Sequence, residues 1–117
     1  MQHSPVKSTV AIDDVERLDV RVGTILSVED IPGSRKLMKL IVDLGDHQRA
    51  IVAGIKKERE NVKEIEGLQA LFVVNLKPQV LTGVTSEGML FDIGYSDGIV
   101  PVLATPEKPV PNGARAG

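Results

Sequence analysis

Residues 75–89 hold the side chains best suited to bind a ligand. Lys77 supplies a positive charge, and the amides of Asn75 and Gln79 supply hydrogen-bond donors and acceptors on either side of it. Pro78 fixes its own backbone angle and has no amide donor, which favours an ordered, exposed segment. Ordered polar loops often bind ligands. A connecting loop without function is the alternative.

Catalysis finds no support in the same segment. Ser86 lies between Gly83 and Gly88, but no histidine stands in a sequence context that would activate it as a nucleophile. The chain has no nucleophile elbow, phosphate loop, zinc-ligand spacing or dinucleotide fingerprint, and it has no cysteine. These features predict a binding protein that is not an enzyme and needs no cofactor.

Charge is distributed unevenly along the chain. The net charge is -2, which differs from the basic balance typical of nucleic-acid-binding domains. Residues 35–77, however, contain nine lysines and arginines against six acids, whereas the rest of the chain contains five against ten. One face could therefore attract a polyanion. Solvated charges on a surface helix would produce the same distribution, so charge alone does not decide.

Length and hydropathy predict a single domain. A chain of 117 residues has room for one hydrophobic core. Residues 1–11 are expected to be a flexible N-terminus, followed by one domain over residues 12–117. No stretch is apolar enough for a signal peptide or a membrane span, so we expect a cytoplasmic protein without membrane insertion.

Alternating apolar residues predict five strands. The first begins at residue 19, and four of its side chains are expected to point into the core: Val20, Val22, Leu26 and Val28. The other strands are predicted at residues 36–44, 48–53, 70–74 and 89–93. A short N-terminal helix is expected from Asp13, and a short helical linker is expected between strands 3 and 4.

This order of elements is that of an OB-fold, an all-β architecture with a five-stranded Greek-key barrel. OB-folds bind nucleic acids across strands 2 and 3 and between the loops after strands 1 and 4. In this chain those loops are residues 31–35 and residues 75–89. An SH3-like or other small barrel would show similar strands, so element order alone does not define the fold.

The aromatic residues restrict what the protein recognises. Only Phe72, Phe91 and Tyr95 are present, and both phenylalanines lie in apolar runs that are expected to be core. Little is left to stack on single-stranded bases. If the ligand is RNA, we expect recognition of its folded shape and backbone.

Several runs of residues together resemble the tRNA-binding domain family. They are Leu18–Ile25, Lys36–Leu37, Leu40–Gly45, Arg49–Ile55, Asn75–Pro78, Gly83–Val84 and Ser86–Leu90. The resemblance extends from about residue 12 to residue 117. It implies an OB-fold, binding of tRNA without catalysis and, as in short free-standing members, a homodimer. Because other members are components of methionyl-tRNA synthetases, it also makes such a synthetase a candidate partner.

Both termini are similar to a second branch of the same family, the CsaA-type export chaperones. Ala11–Asp14 and Pro109–Gly113 carry this similarity, whereas Val52–Ile55 and Ser86–Met89 in the middle follow the tRNA-binding pattern. The middle contains the site loops, so tRNA binding is the preferred interpretation. The alternative is a chaperone that binds unfolded export substrates through an apolar surface near Ile31, Leu81, Val84 and Met89.

The residues predicted to bind tRNA combine cations for phosphates with polar and apolar loop groups that set the position of the RNA. They are Arg35, Lys36, Lys39, Arg49, Asn75, Lys77, Gln79, Ser86, Glu87 and Met89.

Overall fold

The computed structural model describes residues 1–117 and shows a mostly β protein with little helix. One helix, α1, spans Ile12–Glu16. The strands are β1 Val20–Asp30, β2 Met38–Asp43, β3 Gln48–Ala53, β4 Gln69–Val73, β5 Gln79–Leu81, β6 Val84–Ser86, β7 Met89–Leu90, β8 Asp92–Ile93, β9 Val102–Leu103 and β10 Arg115–Ala116. Short 3₁₀ helices span Val62–Ile65 and Tyr95–Asp97. The predicted all-β, OB-like class, the short N-terminal helix and the helical linker are confirmed.

An antiparallel sheet in the order β3-β2-β1-β4-β7 surrounds the core, and β10 pairs with β1 beside it. The sheet curls until its two edge strands approach each other. The amide of Glu87, just before β7, donates to the carbonyl of Ala50 on β3 at 2.9 Å. This contact places residues 75–88 beside the outer face of β3.

Alternation in β2 follows the prediction. Met38, Leu40 and Val42 are buried, as is Leu44 just beyond the strand, and Lys39 lies on the outer face. The buried side chains of β2 pack with those of the neighbouring strands in one cluster that includes Phe72. Burial of these apolar groups supplies the main driving force for folding.

Alternation in β1 fails at Leu26, which was predicted to be inward and is 44% exposed. The pairing of β1 with β2 shifts register between Ile25 and Ser27. A β-bulge of this kind places two residues opposite one, so the inward face changes from the odd position of Ile25 to the even position of Val28. Ile25 is therefore fully buried in place of Leu26.

Gly23 lets β1 pass close to side chains at the end of β2. A Cβ atom on this residue would lie 2.5 Å from Cγ1 of Val42 and 2.9 Å from Cδ2 of Leu44. Only glycine lets the two strands cross this closely. Any side chain at position 23 would collide with the buried side chains of Val42 and Leu44.

The loop predicted over residues 75–89 contains a hairpin that was not predicted from the sequence. Strands β5 and β6 pair around the two-residue turn Thr82–Gly83. Both turn residues have positive φ, 48° for Thr82 and 80° for Gly83. The single strand predicted at residues 89–93 is divided into β7, which pairs with β4, and β8, which pairs with β9.

Residues 1–18, which include α1, are all exposed. Helix α1 begins after Ala11, whose amide donates to Asp14 Oδ2 at 3.2 Å, so the predicted cap at Asp13 is wrong by two residues. None of the residues of α1 is buried. Near the N-terminus, Ser4 Oγ donates to Asp97 Oδ1 at 2.8 Å. No helix of the chain is long and apolar enough to cross a membrane.

Candidate nucleic-acid interface

A groove of about 340 Å³ lies between the β5–β6 hairpin and the outer face of β3. Its walls combine apolar and polar side chains from Val52, Leu76, Lys77, Gln79, Leu81, Ser86, Gly88 and Met89. Four of the ten predicted site residues, Lys77, Gln79, Ser86 and Met89, therefore meet in one place. The cation and the amide at the rim suit a phosphate-bearing ligand, whereas the apolar walls suit a base edge or an aliphatic side chain.

Ser86 is part of the groove wall and is only 5% exposed. Its hydroxyl oxygen accepts a hydrogen bond from the amide of Val52 at 2.9 Å and donates one to the carbonyl of Gly88 at 3.2 Å. The serine thus joins the hairpin to β3. Its predicted contact with tRNA stays a prediction.

Arg49 is half-buried on β3, under the ends of the hairpin segment. Its Nη1 atom donates to the carbonyl of Val74 and, at 3.2 Å, to the carbonyl of Glu87. Its Nε atom donates to Nε2 of His47 at 3.1 Å. The side chain of Glu87 is exposed, and only its backbone takes part in these contacts.

Asn75 begins the segment and is bound to the start of the fold. Its Oδ1 atom accepts from the amide of Asp19 at 2.8 Å, and its Nδ2 atom donates to the carbonyl of Arg17 at 2.7 Å. Both ends of its amide therefore bind backbone groups between α1 and β1.

Lys39 lies on the side of the sheet that carries the groove. It pairs with Val52 across β2 and β3, and directly paired residues of antiparallel strands project to the same face. Since Val52 lines the groove, Lys39 adds a second cation beside it.

Arg35 and Lys36 belong to the loop between β1 and β2 and are exposed. Lys36 lines a different groove, of about 310 Å³, together with Glu58, Asp92 and Tyr95. Tyr95, the one exposed aromatic side chain, is thus absent from the walls of the hairpin groove.

Buried acidic groups give this second groove unusual electrostatics. Burial raises the pKa of Glu58 to about 7, and the negative charge of Asp92 beside it acts in the same direction. Burial also raises the pKa of Asp92. Arg59 Nη1 lies 3.6 Å from Glu58 Oε1, and both side chains are 11% exposed. Protonation of this cluster changes the charge next to Lys36.

The pKa of Asp19, beside the start of the hairpin segment, is lowered and not raised. A hydrogen bond from Arg21 at 3.0 Å lowers the pKa of its carboxyl, and Arg115 contributes a second contact at 3.2 Å. This carboxylate therefore stays charged and holds β10 against the start of β1.

No three His, Cys, Asp or Glu side chains lie close enough together to hold a metal ion.

Val52 and Leu76 also line the groove and were not predicted from the sequence, whereas Leu81 was expected at an apolar surface and does line the groove. For Val52 a signal existed, because alternation in β3 places it on the face opposite to the fully buried Ile51. One residue of the proposed apolar surface is misplaced: Ile31 is 3% exposed and belongs to the interior, so it cannot offer a surface for peptides.

An OB-like sheet with a basic, partly apolar groove against its outer face defines a small binding module. The family model of the tRNA binding domain matches residues 20–115. The chain belongs to the tRNA-binding domain family, which confirms the resemblance seen in its sequence.

Relatives with this domain include methionine–tRNA ligases. That of Archaeoglobus fulgidus is 43% identical over 109 residues, which make up 93% of this chain and 16% of the ligase. That of Methanococcus vannielii is 48% identical over 94 residues, which make up 80% of this chain and 14% of the ligase. The chain thus spans about one sixth of the length of the curated relatives that it matches.

Two solved structures are similar over their whole length. A MetRS related protein from Pyrococcus horikoshii superimposes with a TM-score of 0.86 at 38% identity and covers 95% of this chain and 100% of its own. The chaperone CsaA from Bacillus anthracis superimposes with a TM-score of 0.81 at 29% identity and covers 94% of this chain and 100% of its own. The fold is therefore shared by both branches of the family that the sequence resembles.

Proposed function

We propose that this protein binds folded tRNA without catalysing a reaction. The observation that carries the proposal is the hairpin groove, where Lys77 and Gln79 stand at the rim and Lys39 adds a cation on the neighbouring strand. These donors fit phosphates, which contribute most of the sequence-independent affinity for nucleic acids. Membership in the tRNA-binding domain family supports tRNA as the ligand. A cytoplasmic location follows from this ligand and is part of the proposal.

Recognition by shape and backbone is the mode that the groove favours. Stacking platforms for single-stranded bases need exposed aromatic rings. Phe72 is fully buried, and the exposed Tyr95 lines the other groove. Met89, which is half exposed, and the hairpin amides are left to make local contacts with the RNA.

Binding of unfolded peptide segments is the second candidate function. The apolar walls of Leu76, Leu81 and Met89 favour it, since an aliphatic side chain would fit against them. Similarity to the CsaA structure supports the same reading. The loss of Ile31 from this surface reduces its extent.

Titration with three RNAs tests the first proposal. The ligands are intact tRNA, the same tRNA after denaturation, and single-stranded oligonucleotides of matching composition. We expect the intact form to bind most tightly, with an affinity that falls steeply with salt. Equal affinity for all three would exclude recognition of shape.

A parallel assay tests the chaperone function on the same preparation. A denatured client protein is mixed with this protein, which is used at a concentration high enough to saturate tRNA in the titration. Slower aggregation of the client would support peptide binding, and competition by tRNA would show that the two ligands exclude each other. No effect on aggregation would leave tRNA as the ligand. The ligase relatives also make a methionyl-tRNA synthetase a proposed partner, which co-purification would reveal.

A further inference from the structure

The hairpin segment is held at both of its ends by one side chain. The carbonyl of Val74 precedes the segment and the carbonyl of Glu87 follows the hairpin, and both accept hydrogen bonds from Nη1 of Arg49. Between them lie all the hairpin residues that line the groove, including Lys77 and Gln79. The orientation of these groups toward a ligand therefore depends on a contact below the groove.

Arg49 is itself oriented from the other side. Its Nε atom donates to Nε2 of His47, and Nδ1 of His47 lies 2.6 Å from Oδ1 of Asp46. Together with the two carbonyls, these contacts use three of the five N–H donors of a guanidinium group. An arginine side chain held by these hydrogen bonds has little freedom to reorient and bind a phosphate.

We propose that Arg49 is a positioning residue that clamps the two ends of residues 74–87 and so fixes the binding groove, and that it does not hold a phosphate of the ligand. The inference rests on the proposed function for its effect on tRNA. Lysine cannot replace arginine at this position, because a single ammonium nitrogen cannot reach both carbonyls and His47 in the arrangement of the planar guanidinium.

A charge-retaining substitution separates a positioning residue from a phosphate ligand. Lysine keeps the positive charge that a phosphate requires but not the arrangement of donors that holds the two carbonyls and His47. We compare wild type with Arg49→Met, Arg49→Lys and Lys77→Met, using intact tRNA. Both Arg49 variants are expected to lose affinity at least about tenfold, because lysine keeps the charge without the clamp. Lys77→Met, the control for a rim cation, is expected to lower the slope of log affinity against log salt by roughly 0.9.

Amide hydrogen exchange without tRNA tests the clamp itself. Both Arg49 variants are expected to exchange faster at the β5–β6 amides and to leave core amides such as that of Leu40 unchanged. Lys77→Met is expected to exchange like wild type. If Arg49→Met does not fold, Arg49→Lys carries the comparison alone.

Two results would overturn the proposal. One is wild-type affinity in Arg49→Lys together with a shallower slope in Arg49→Met, which would make charge the function of Arg49. The other is unchanged exchange of the hairpin amides in both variants. If the wild-type protein does not bind tRNA, the proposed function fails while the exchange experiment still decides whether Arg49 clamps the segment.

Discussion

The hydroxyl of Ser86 accepts a hydrogen bond from the amide of Val52 at 2.9 Å, across the seam between the hairpin and β3. The contact is buried, so a missing partner would leave the amide of Val52 unsatisfied. We expect Ser86→Ala to lower the free energy of unfolding by roughly 1–3 kcal/mol, measured by urea denaturation. Thr85→Ala, at the exposed neighbouring position of β6, is the control and should change it by less than about 0.5 kcal/mol. Equal stability of the two variants would contradict a structural role for this hydroxyl.

Substitution of Gly45 tests whether the C-terminal segment packs against the turn between β2 and β3. It has a φ of 96°, and a Cβ atom would lie 2.5 Å from the carbonyl oxygen of Asn112. Gly33 has a similar φ of 83°, but nothing lies within 4 Å of its Cβ position. Both substitutions to alanine cost about 1–2 kcal/mol of backbone strain. Gly45→Ala should lose clearly more stability than Gly33→Ala in thermal unfolding. Equal losses would show that residue 112 does not pack there in solution.

Glu58 makes stability depend on pH. Burial raises the pKa of its carboxyl from 4.5 to about 7. Between pH 4.5 and pH 7, therefore, Glu58 is protonated in the folded protein and ionised in the unfolded chain. Stability is then greatest below pH 4.5 as far as this group is concerned, and it falls by roughly 1–3 kcal/mol as the pH rises through 7. Urea denaturation at intervals between pH 5 and pH 8 measures this slope.

The matched variants are Glu58→Gln and Glu60→Gln. Glutamine at position 58 cannot ionise, so the loss of stability with rising pH should become smaller. Glu60 is exposed, and its replacement should leave the slope as it is. The assignment to Glu58 would be wrong if both variants kept the slope of wild type.

Exposed apolar residues predict that the protein is a homodimer. Ile12 and Val15 on α1 are 68% and 55% exposed, and Val100 is 67% exposed. Such residues near both ends of the chain are suited to cover a second copy. Light scattering at micromolar concentration should give twice the mass of 12.6 kDa. Val15→Asp should shift the mass toward that of a monomer, whereas Val80→Asp, at a hairpin position that is 71% exposed, should not. A monomeric wild type would contradict the prediction.

Alternation in the sequence was sufficient where a strand is regular. Met38, Leu40 and Val42 occupy one face of β2 because successive side chains of a strand point to opposite faces of the sheet. The same rule misplaced Leu26, since a bulge depends on pairing with β2 that no local pattern reveals. The hairpin turn was also hidden, because Thr82 with positive φ replaces the asparagine or aspartate that usually marks such turns.

The candidate site was predicted by residue type more readily than by role. Lys77 and Gln79 were expected at the site and line the groove. Asn75 and Arg49 have the same kinds of polar groups, yet their donors and acceptors bind backbone groups of the chain. Whether a polar side chain faces a ligand or a neighbouring strand depends on tertiary packing. The type of a residue does not reveal that packing.

The pairing of β10 with β1 has a consequence for the rate of folding. Val20 pairs with Ala116 and Arg21 with Arg115, so the beginning and the end of the fold must meet to complete one sheet. Contacts between residues so distant along the chain close large loops before they contribute stability, and proteins rich in them fold on the order of milliseconds to seconds. We therefore expect slow folding, with docking of residues 112–116 onto β1 among its last steps.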